Sequence, residues 1–244
     1  MKWRKYWISW GRWKLNHDDI EELKRKAAYQ AVKHVKDGFV VGLGSGSTAA
    51  LAIEALSERI KRESLSVLAV PTSYQAFLLA AKHGIAVTTL EEHGVIDVTI
   101  DGADQIDPKL NLIKGMGAAL AREKIVASAS KQNIIIADDS KRVKSLGENG
   151  HPVPVEVLPF AIALVKNRIE AVGGKAVLRE GKGKVGPVIT DNGNAVLDAV
   201  FGVIHNASEL EVKLKMIPGV VETGLFIGLA TTAYIGTTSK VEKL

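Results

Sequence analysis

Short apolar runs alternate with longer segments in which apolar residues recur every three or four positions. The runs cover residues 39–41, 67–70, 95–100 and 133–137. Because polar residues and glycine or proline bound these runs, they predict buried strands, and the periodic segments between them predict helices. Strands and helices that alternate in this way are typical of a mostly parallel, Rossmann-like sheet flanked by helices.

The periodic segments also carry helix-boundary signals. The first predicted helix covers residues 18–36, has an acidic first turn and can be capped by Asn16 or Asp18. Further helices are predicted at residues 74–83, after a Pro-Thr-Ser break, and at 118–129, behind a glycine-rich segment. Beyond the first helix, strands and helices therefore alternate along the chain, as expected for an α/β domain.

The pattern changes near residue 147. Three prolines within residues 151–159 indicate a junction between domains. The elements predicted beyond it are helices at 160–171 and 207–216, strands at 176–179, 188–190 and 195–201, and an Asn-Gly hairpin turn at 191–194. This order predicts a second, smaller α+β domain of the ferredoxin-like type.

The apolar runs at 220–227 and 233–235 are expected to return to the first domain. The predicted division is therefore a larger α/β domain from residues 16–146 and 218–244, and a smaller domain from residues 147–217. A chain of 244 residues is long enough for two such cores.

Composition excludes several classes of protein. The chain has no cysteine, so disulfides and thiolate chemistry are not available, and no apolar run approaches the length of a membrane span. The net charge of +5 has a local origin, because residues 1–15 contain five Lys and Arg and no acid. The remaining chain is neutral, so the basic pI does not indicate nucleic-acid binding.

Residues 1–15 differ from the rest of the chain in a second way, since they hold all four tryptophans. On a helix the tryptophans would form one stripe, which would suit a membrane surface or a partner. The alternative is an extension foreign to the domain, such as a start codon assigned too far upstream. We favour the appended segment, and membrane contact through it is the less favoured prediction.

The stretch DGADQIDPKLNLIKGMGAALAREK, residues 101–124, concentrates candidate chemistry. Asp101 and Asp104 follow a predicted buried strand, and Lys114 and Glu123 come shortly after them. Ligands bind at the carboxyl edge of an open α/β sheet. Carboxylates and an ammonium group at that edge are suited to proton transfer on a polar, anionic small molecule. Taken alone, each residue would be a surface residue or a turn former at least as often as a functional one.

A second motif, GLGSGSTA, joins a predicted strand to a predicted helix at residues 42–49. Glycines let backbone N–H groups converge, and a helix N-terminus favours an anion. The spacing is neither that of a dinucleotide loop nor, without a following lysine, that of a nucleotide P-loop. The motif therefore predicts a site for a phosphate monoester or, alternatively, a tight turn without a ligand.

Taken together, the motifs resemble those of the type A ribose-5-phosphate isomerases. The matching segments are GLGSGSTA, PTSYQA, DGAD, KGMGAALAREK, DDSK, PVPVEVLP, ITDNGN and IPGVVETGLF. They extend over residues 22–236, in the same order as in the family. The resemblance implies an aldose-ketose isomerase that interconverts ribose 5-phosphate and ribulose 5-phosphate in the pentose phosphate pathway, without a metal or organic cofactor.

The resemblance also implies roles for individual residues. Glu123 matches the proton-transferring base, Asp101 and Asp104 the active-site aspartates, and Lys114 the active-site lysine. The matching substrate- and phosphate-binding positions are Lys24, Ser45, Gly46, Ser47, Thr48, Gly102, Ala103, Gly115, Met116, Gly117 and Lys141. It further implies a cytoplasmic homo-oligomer, a dimer or a tetramer.

The residues themselves agree with this chemistry. One carboxylate can remove a proton beside a carbonyl and return it to the neighbouring carbon, while a lysine stabilises the enediolate between. The six histidines are scattered without the spacing of metal ligands, which does not favour a hydride shift on a metal. The alternative function is a sugar-phosphate sensor, which would need the phosphate loop but no proton shuttle.

Three departures from the family pattern are visible. Gln105 stands where an acid is common, which would remove one charge at the edge of the site. Met116 stands where glycine is common, so the direction of its backbone N–H matters. The segment IGLATTAY, residues 227–234, also departs, which affects packing or subunit contacts more than catalysis.

Overall fold

The computed structural model describes residues 17–183 and 185–244. The helices are α1 His17–Ala31, α2 Ser47–Glu63, α3 Tyr74–His83, α4 Leu120–Ser128, α5 Ile162–Ala171 and α6 Ala207–Lys215. The strands are β1 Val40–Leu43, β2 Leu68–Pro71, β3 Val98–Gly102, β4 Gln105–Ile106, β5 Leu112–Ile113, β6 Asn133–Asp138, β7 Val153–Val157, β8 Lys175–Leu178, β9 Ala195–Val200, β10 Val220–Thr223, β11 Leu225–Phe226, β12 Thr232–Gly236 and β13 Val241–Lys243.

The larger sheet has six strands in the order β13-β12-β6-β3-β1-β2. All neighbouring strands pair in parallel except β12 and β13, which are antiparallel. The prediction of a mostly parallel sheet flanked by helices is therefore confirmed. The antiparallel edge strand β13 was not predicted, because its three residues, Val-Glu-Lys, carry no apolar run.

Helices cover both faces of this sheet. Apolar residues of α1, α2 and α3 form one core with alternate positions of the strands, including Ile134 and Ile136. The intervening residues Ile135 and Ala137 contribute to a second cluster on the other face, with Leu120 of α4. Because both faces are buried, the central strands read as continuous apolar runs.

The smaller sheet is antiparallel, in the order β10-β7-β9-β8. Its helices α5 and α6 connect β7 to β8 and β9 to β10, which gives the βαββαβ order of a ferredoxin-like unit. Val155, Val165 and Leu197 lie at the centre of its own apolar core. A smaller second sheet unit is therefore present, as predicted.

A third sheet has three strands in the order β11-β5-β4. Strands β4 and β5 directly follow β3 in the sequence. The strands of this sheet are only two residues long, so the apolar pattern gave no signal for β4 or β5. The hairpin of β4 and β5 matters for function, because it carries the chain from the end of β3 back to Lys114.

Two elements after residue 147 differ from those that the sequence suggested. The proline-rich segment contains β7, a central strand of the smaller sheet, for which no strand was predicted. Prolines are normally excluded from central strands, which is why the pattern misled. The apolar run at 220–227 does not join the larger sheet, because β10 pairs with β7 and β11 with β5. The division at residues 147 and 218 stays a prediction.

Smaller differences concern element ends. The first helix ends at Ala31 and continues as one 3₁₀ turn, Val32–His34, instead of running to residue 36. Its proposed cap Asn16 lies outside the described residues, as do residues 1–15. Residues 188–190 form no strand and contribute an isolated bridge from Ile189 to Ala195. The predicted Asn-Gly turn has a positive φ at Gly193 and not at Asn192.

Candidate active site

The carboxyl end of β3 supplies the first carboxylate. The strand continues through Asp101 and Gly102, two residues beyond the predicted end of the run. Asp101 is buried, and its Oδ1 accepts hydrogen bonds from the N–H groups of Gly102 at 2.7 Å and Ser45 at 3.2 Å. A Cβ at Gly44 would collide with the Asp101 side chain, so glycine is required there.

Lys114 is the central cation of the site. It follows β5 directly and only 4% of the residue is exposed. Its Nζ lies 3.1 Å from Asp101 Oδ2, 3.2 Å from Glu123 Oε2 and 2.6 Å from the carbonyl oxygen of Gly102. The negative charges of Asp101, Glu123 and Asp104 outweigh burial and raise the pKa of Lys114 above its ordinary value. The ammonium group therefore stays charged.

Glu123 lies in the first turn of α4 and is 5% exposed. Burial raises its pKa to about 8, Lys114 works in the opposite direction, and the charges of Asp101 and Asp104 add to the rise. Burial also raises the pKa of Asp101, but Asp101 accepts two backbone N–H bonds as well as the lysine. Of the two carboxyl groups that contact Lys114, Glu123 lines the cavity and Asp101 does not.

The helix that carries Glu123 begins later than predicted. It starts at Leu120 and not at residue 118, because Ala118 has a positive φ of 59° and its N–H closes a turn onto the carbonyl of Gly115. Gly115 itself has a φ of 107°, where a side chain is strained. Residues 115–119 are therefore a turn in front of the helix.

The glycine-serine loop lies next to this cluster. Helix α2 starts at Ser47, and Gly46 before it has a φ of 92°. The hydroxyl of Ser45 contacts Thr72 Oγ1 at 2.8 Å and Ser73 Oγ at 2.6 Å. The loop thus ends at a helix N-terminus, where N–H groups and the helix dipole favour an anion.

These elements enclose one cavity of about 290 Å³. The predicted site residues that line it are Lys24, Ser45, Gly46, Ser47, Thr48, Gly102, Ala103, Asp104, Lys114, Gly115, Met116, Gly117, Glu123 and Lys141. Asp101 does not line the cavity and lies behind Lys114 instead. Within residues 17–183 and 185–244, neither Lys24 nor Lys141 has a carboxylate within ion-pair distance, so both keep their charge available for an anion.

Asp104 and Met116 are linked through the backbone. The N–H of Met116 donates to Asp104 Oδ2 at 3.1 Å. This N–H is therefore directed at a carboxylate of the site, and the methionine side chain, which is 45% exposed, does not alter that bond. The third acid of the stretch, Asp107, accepts from Lys109 and Asn111 in a turn and does not line the cavity.

Gln105 has a different environment from the one expected. Its side chain is buried, donates to the carbonyl of Glu148 at 3.0 Å and accepts from the N–H of Gly147 at 2.8 Å. It therefore fixes the start of the 147–150 segment rather than changing the charge at the edge of the cavity. An acid at this position would lack the donor for Glu148.

The sequence did not single out several residues of the cavity. Ser73, Gln75 and residues 188–191 line it as well. Gln75 Oε1 accepts from the N–H of Gly46 at 2.8 Å, and the guanidinium of Arg179 donates to the carbonyl oxygens of Gly115 and Met116. Ser73 and Gln75 belong to the motif PTSYQA, and residues 189–191 belong to ITDNGN. Both motifs support the family resemblance, but the sequence assigned no role to these residues.

The described residues hold no group of three or more His, Cys, Asp or Glu that could bind a metal ion. Among the same residues, no helix is long and apolar enough to cross a membrane.

Comparison with known proteins gives consistent matches. The family model for ribose 5-phosphate isomerase A (phosphoriboisomerase A) matches residues 68–240. A ribose-5-phosphate isomerase A from Methanothermobacter thermautotrophicus is 52% identical over 222 residues, which cover 91% of this chain and 97% of that protein. The solved structure of ribose 5-phosphate isomerase A from Methanocaldococcus jannaschii is similar with a TM-score of 0.88 at 47% identity, covering 92% of this chain and 98% of the other. A D-ribose-5-phosphate isomerase in complex with phospho-erythronic acid gives a TM-score of 0.90 at 46% identity, with the same coverage.

Proposed function

The chain belongs to the ribose 5-phosphate isomerase A family, and we propose that it interconverts ribose 5-phosphate and ribulose 5-phosphate by proton transfer through an enediolate. The match covers nearly the full length of the relatives that carry this name. The observation that carries the proposal is the buried contact of Glu123 and Asp101 with Lys114 beside a cavity lined by the glycine-serine loop.

Glu123 is the acid-base group in this proposal. As a carboxylate it removes the proton from C2 of the open-chain aldose, and as an acid it returns that proton to C1. A pKa of about 8 suits both steps near neutral pH, because neither form of the group is strongly disfavoured. Burial is the main cause of that value, so the proposed proton transfer depends on the buried environment of Glu123.

Lys114 stabilises the charge that develops on the substrate oxygens. Its ammonium group is held by Asp101, Glu123 and the carbonyl of Gly102, so it needs no rearrangement when the enediolate forms. Asp104 lines the cavity and is oriented by the N–H of Met116. We propose that Asp104 accepts hydrogen bonds from the hydroxyl groups of the sugar.

The phosphate is assigned to the glycine-serine loop. Ser45, Gly46, Ser47 and Thr48 line the cavity at the N-terminus of α2. Lys24 and Lys141 line the same cavity and supply two positive charges for a dianionic group. The phosphate end and the proton-transfer end are thus parts of one continuous cavity.

The proposal is tested by measuring ribulose 5-phosphate formation by the purified protein in excess EDTA. We expect full activity, because the assigned steps need no metal. We also expect Glu123→Gln to lower kcat by about 10²–10⁴-fold while the substrate still binds. Inactivity of the wild-type protein, or near-normal turnover in Glu123→Gln, would contradict the proposal.

No specific observation favours the alternative of a sugar-phosphate sensor, since a sensor has no use for a buried carboxyl group with a raised pKa. The homo-oligomer, dimer or tetramer, and the cytoplasmic location stay predictions. Exposed apolar side chains of the smaller sheet unit, Leu158, Phe160 and Met216, support self-association. Light scattering of the purified protein measures the first, and cell fractionation the second.

A further inference from the structure

A loop of the smaller sheet unit, residues 188–194, forms one side of the cavity. Its residues 188–191 line the cavity together with the glycine-serine loop. The loop leads directly into β9, and its turn is closed by the N–H of Thr190, which donates to the carbonyl of Asn194 at 2.8 Å. None of these residues is assigned a role by the proton-transfer chemistry.

Three side chains of this loop donate hydrogen bonds to one buried carboxyl group. Glu156 lies on the central strand β7 and is fully buried. Its Oε1 accepts three hydrogen bonds, from Thr190 Oγ1 at 2.9 Å, Asn192 Nδ2 at 3.0 Å and Asn194 Nδ2 at 2.8 Å. A carboxyl group is costly to bury. The three donors to Oε1 all come from this loop, and Oε2 has no hydrogen-bond partner among the described residues.

The same loop makes hydrogen bonds to two helices outside the smaller sheet, α3 and α4. Asp191 Oδ2 accepts from the N–H of Tyr74 at 2.6 Å, at the start of the helix that Ser73 caps. Arg122 donates to Asn192 Oδ1 at 2.7 Å and to the carbonyl oxygen of Asp191 at 2.9 Å. Arg122 is adjacent to the acid-base group in the chain, and Ser73 contacts the glycine-serine loop through Ser45.

We propose that Glu156 is a positioning residue for the substrate cavity, which fixes the 188–194 loop between Tyr74 and Arg122. It touches no part of the cavity itself and acts through the loop. Rigidly held loops bind a ligand with less loss of conformational entropy. The inference rests on the proposed function, since it concerns the site in which ribose 5-phosphate binds, and it predicts an effect on substrate affinity rather than on proton transfer.

The chain offers a matched control in Glu222. This residue lies directly opposite Glu156 on the neighbouring strand β10, and it is also largely buried. Its carboxylate contacts Lys124 at 2.9 Å and Lys215 at 3.0 Å, and no residue of the 188–194 loop. Replacing Glu222 therefore removes a carboxylate from the same sheet but leaves the hydrogen bonds between Glu156 and the 188–194 loop in place.

The test compares Glu156→Gln and Glu156→Met with Glu222→Gln and Glu222→Met. Methionine keeps the length of the side chain but leaves three donors without an acceptor, whereas glutamine keeps one acceptor oxygen. We expect KM for ribose 5-phosphate to rise about tenfold or more in Glu156→Met, less in Glu156→Gln, and little in the Glu222 variants. The acid limb of the pH profile of kcat is expected to stay in place.

A second readout does not depend on turnover. Hydrogen exchange at the amides of Tyr74 and of residues 190–194 is expected to accelerate in Glu156→Met and not in Glu222→Met. Unchanged exchange in an active Glu156→Met, or an equal rise of KM in Glu222→Met, overturns the inference. A wild-type protein that does not isomerise ribose 5-phosphate contradicts the proposed function instead, and the exchange measurement still decides the role of Glu156.

If the Glu156 variants fail to fold, Asn192→Ala takes their place. This change at an exposed position removes one donor to Glu156 and the acceptor for Arg122. The rise in KM is then expected to be smaller, about threefold, together with faster exchange at Tyr74. A folded Asn192→Ala protein with wild-type KM and wild-type exchange overturns the inference.

Discussion

Replacing Asp101 by asparagine tests how the raised pKa of Glu123 arises. Both carboxyl groups contact the Nζ of Lys114, Asp101 at 3.1 Å and Glu123 at 3.2 Å. Asparagine keeps the size of the side chain and an oxygen for the N–H groups of Ser45 and Gly102. It removes a negative charge that opposes ionisation of Glu123, so the pKa of Glu123 is expected to fall.

The size of the effect follows from this geometry. Two oxygens that contact the same ammonium nitrogen are at most about 6 Å apart, and at an effective dielectric constant of ~20 their unit charges repel by about 3 kcal/mol. That energy corresponds to about two pKa units. We therefore expect the pKa of Glu123 to fall from about 8 toward 6 in Asp101→Asn.

The assay is the pH dependence of kcat/KM for the conversion of ribose 5-phosphate to ribulose 5-phosphate. A carboxylate base gives a rate that rises with pH through its pKa, so the acid limb should move to lower pH by about two units. Asp97→Asn is the control, because Asp97 lies just before the same strand and pairs with Lys131, away from the cavity. The phosphate of the substrate titrates equally in all three proteins.

Two results would refute this reasoning. An acid limb that stays within half a unit of the wild type would show that Asp101 does not set the pKa of Glu123. A limb that moves to higher pH would show that Asp101 stabilises the ionised form of Glu123, for instance by orienting Lys114, more than its charge opposes it. In either case the limb of Asp97→Asn provides the reference.

The remaining predictions concern the phosphate end of the cavity and the first residues of the chain. Ser47→Ala combined with Lys24→Ala should raise the dissociation constant for ribose 5-phosphate by about tenfold or more and leave that for unphosphorylated ribose nearly unchanged, because both side chains line the anion-binding part of the cavity; calorimetry with both sugars measures this, and equal losses would contradict the assignment of the phosphate. Deleting residues 1–15 should preserve specific activity and the melting temperature, because every motif lies downstream; an unfolded or inactive truncation would show that these residues are part of the enzyme.

The larger sheet was predictable because its strands are buried on both faces. The run at 133–137 needs no alternation to be recognised, and observed β6 differs from it only by one residue. Helix α3 was predicted residue for residue, since Ser73 caps it and Gly84 ends it with a positive φ. In such places the local signals and the tertiary structure agree.

The smaller sheet was harder to predict because its signals conflict. Pro154 lies within a central strand, where it supplies no N–H, and its carbonyl accepts from the N–H of Gly224. A proline there argues against a strand by every local rule. The run at 220–227 was expected to return to the first domain, whereas its strands β10 and β11 pair with β7 and β5. A strand's partner depends on the path of the whole chain and not on its own residues.

The site shows the same division between local and tertiary information. Glycines, acids and lysines that lie near one another in sequence could be identified, and the structure places them around one cavity. The contributions of Gln75, Arg179 and Glu156 could not be identified, because each acts on residues far away in the chain. The sequence motifs therefore identified residues that line the cavity. The fold is needed to show which distant residues hold them in position.

The raised pKa of Glu123 also predicts how stability depends on pH. The ordinary pKa is 4.5 and the folded value is about 8, so between these values the folded protein keeps a proton that the unfolded chain has released. Stability contributed by this group therefore falls as pH rises through that window, by about 1.4 kcal/mol per pH unit at most. Lys114 adds no slope there, because its ordinary pKa of 10.5 is raised further on folding and it is charged in both states.

Glu123→Gln removes this slope and leaves the other titrating groups in place. The raised pKa of Asp101 contributes a slope of the same sign. Because the two carboxyl groups repel, removing the charge of Glu123 lowers the pKa of Asp101 and weakens that slope too, which acts in the same direction as the loss of Glu123. We expect the free energy of unfolding of Glu123→Gln, measured by urea denaturation, to gain on that of the wild type as pH rises from 5 to 8. A difference that stays constant over this range, or a wild type that gains on the variant, would mean that Glu123 is ionised in the folded protein at neutral pH and that burial does not raise its pKa to about 8.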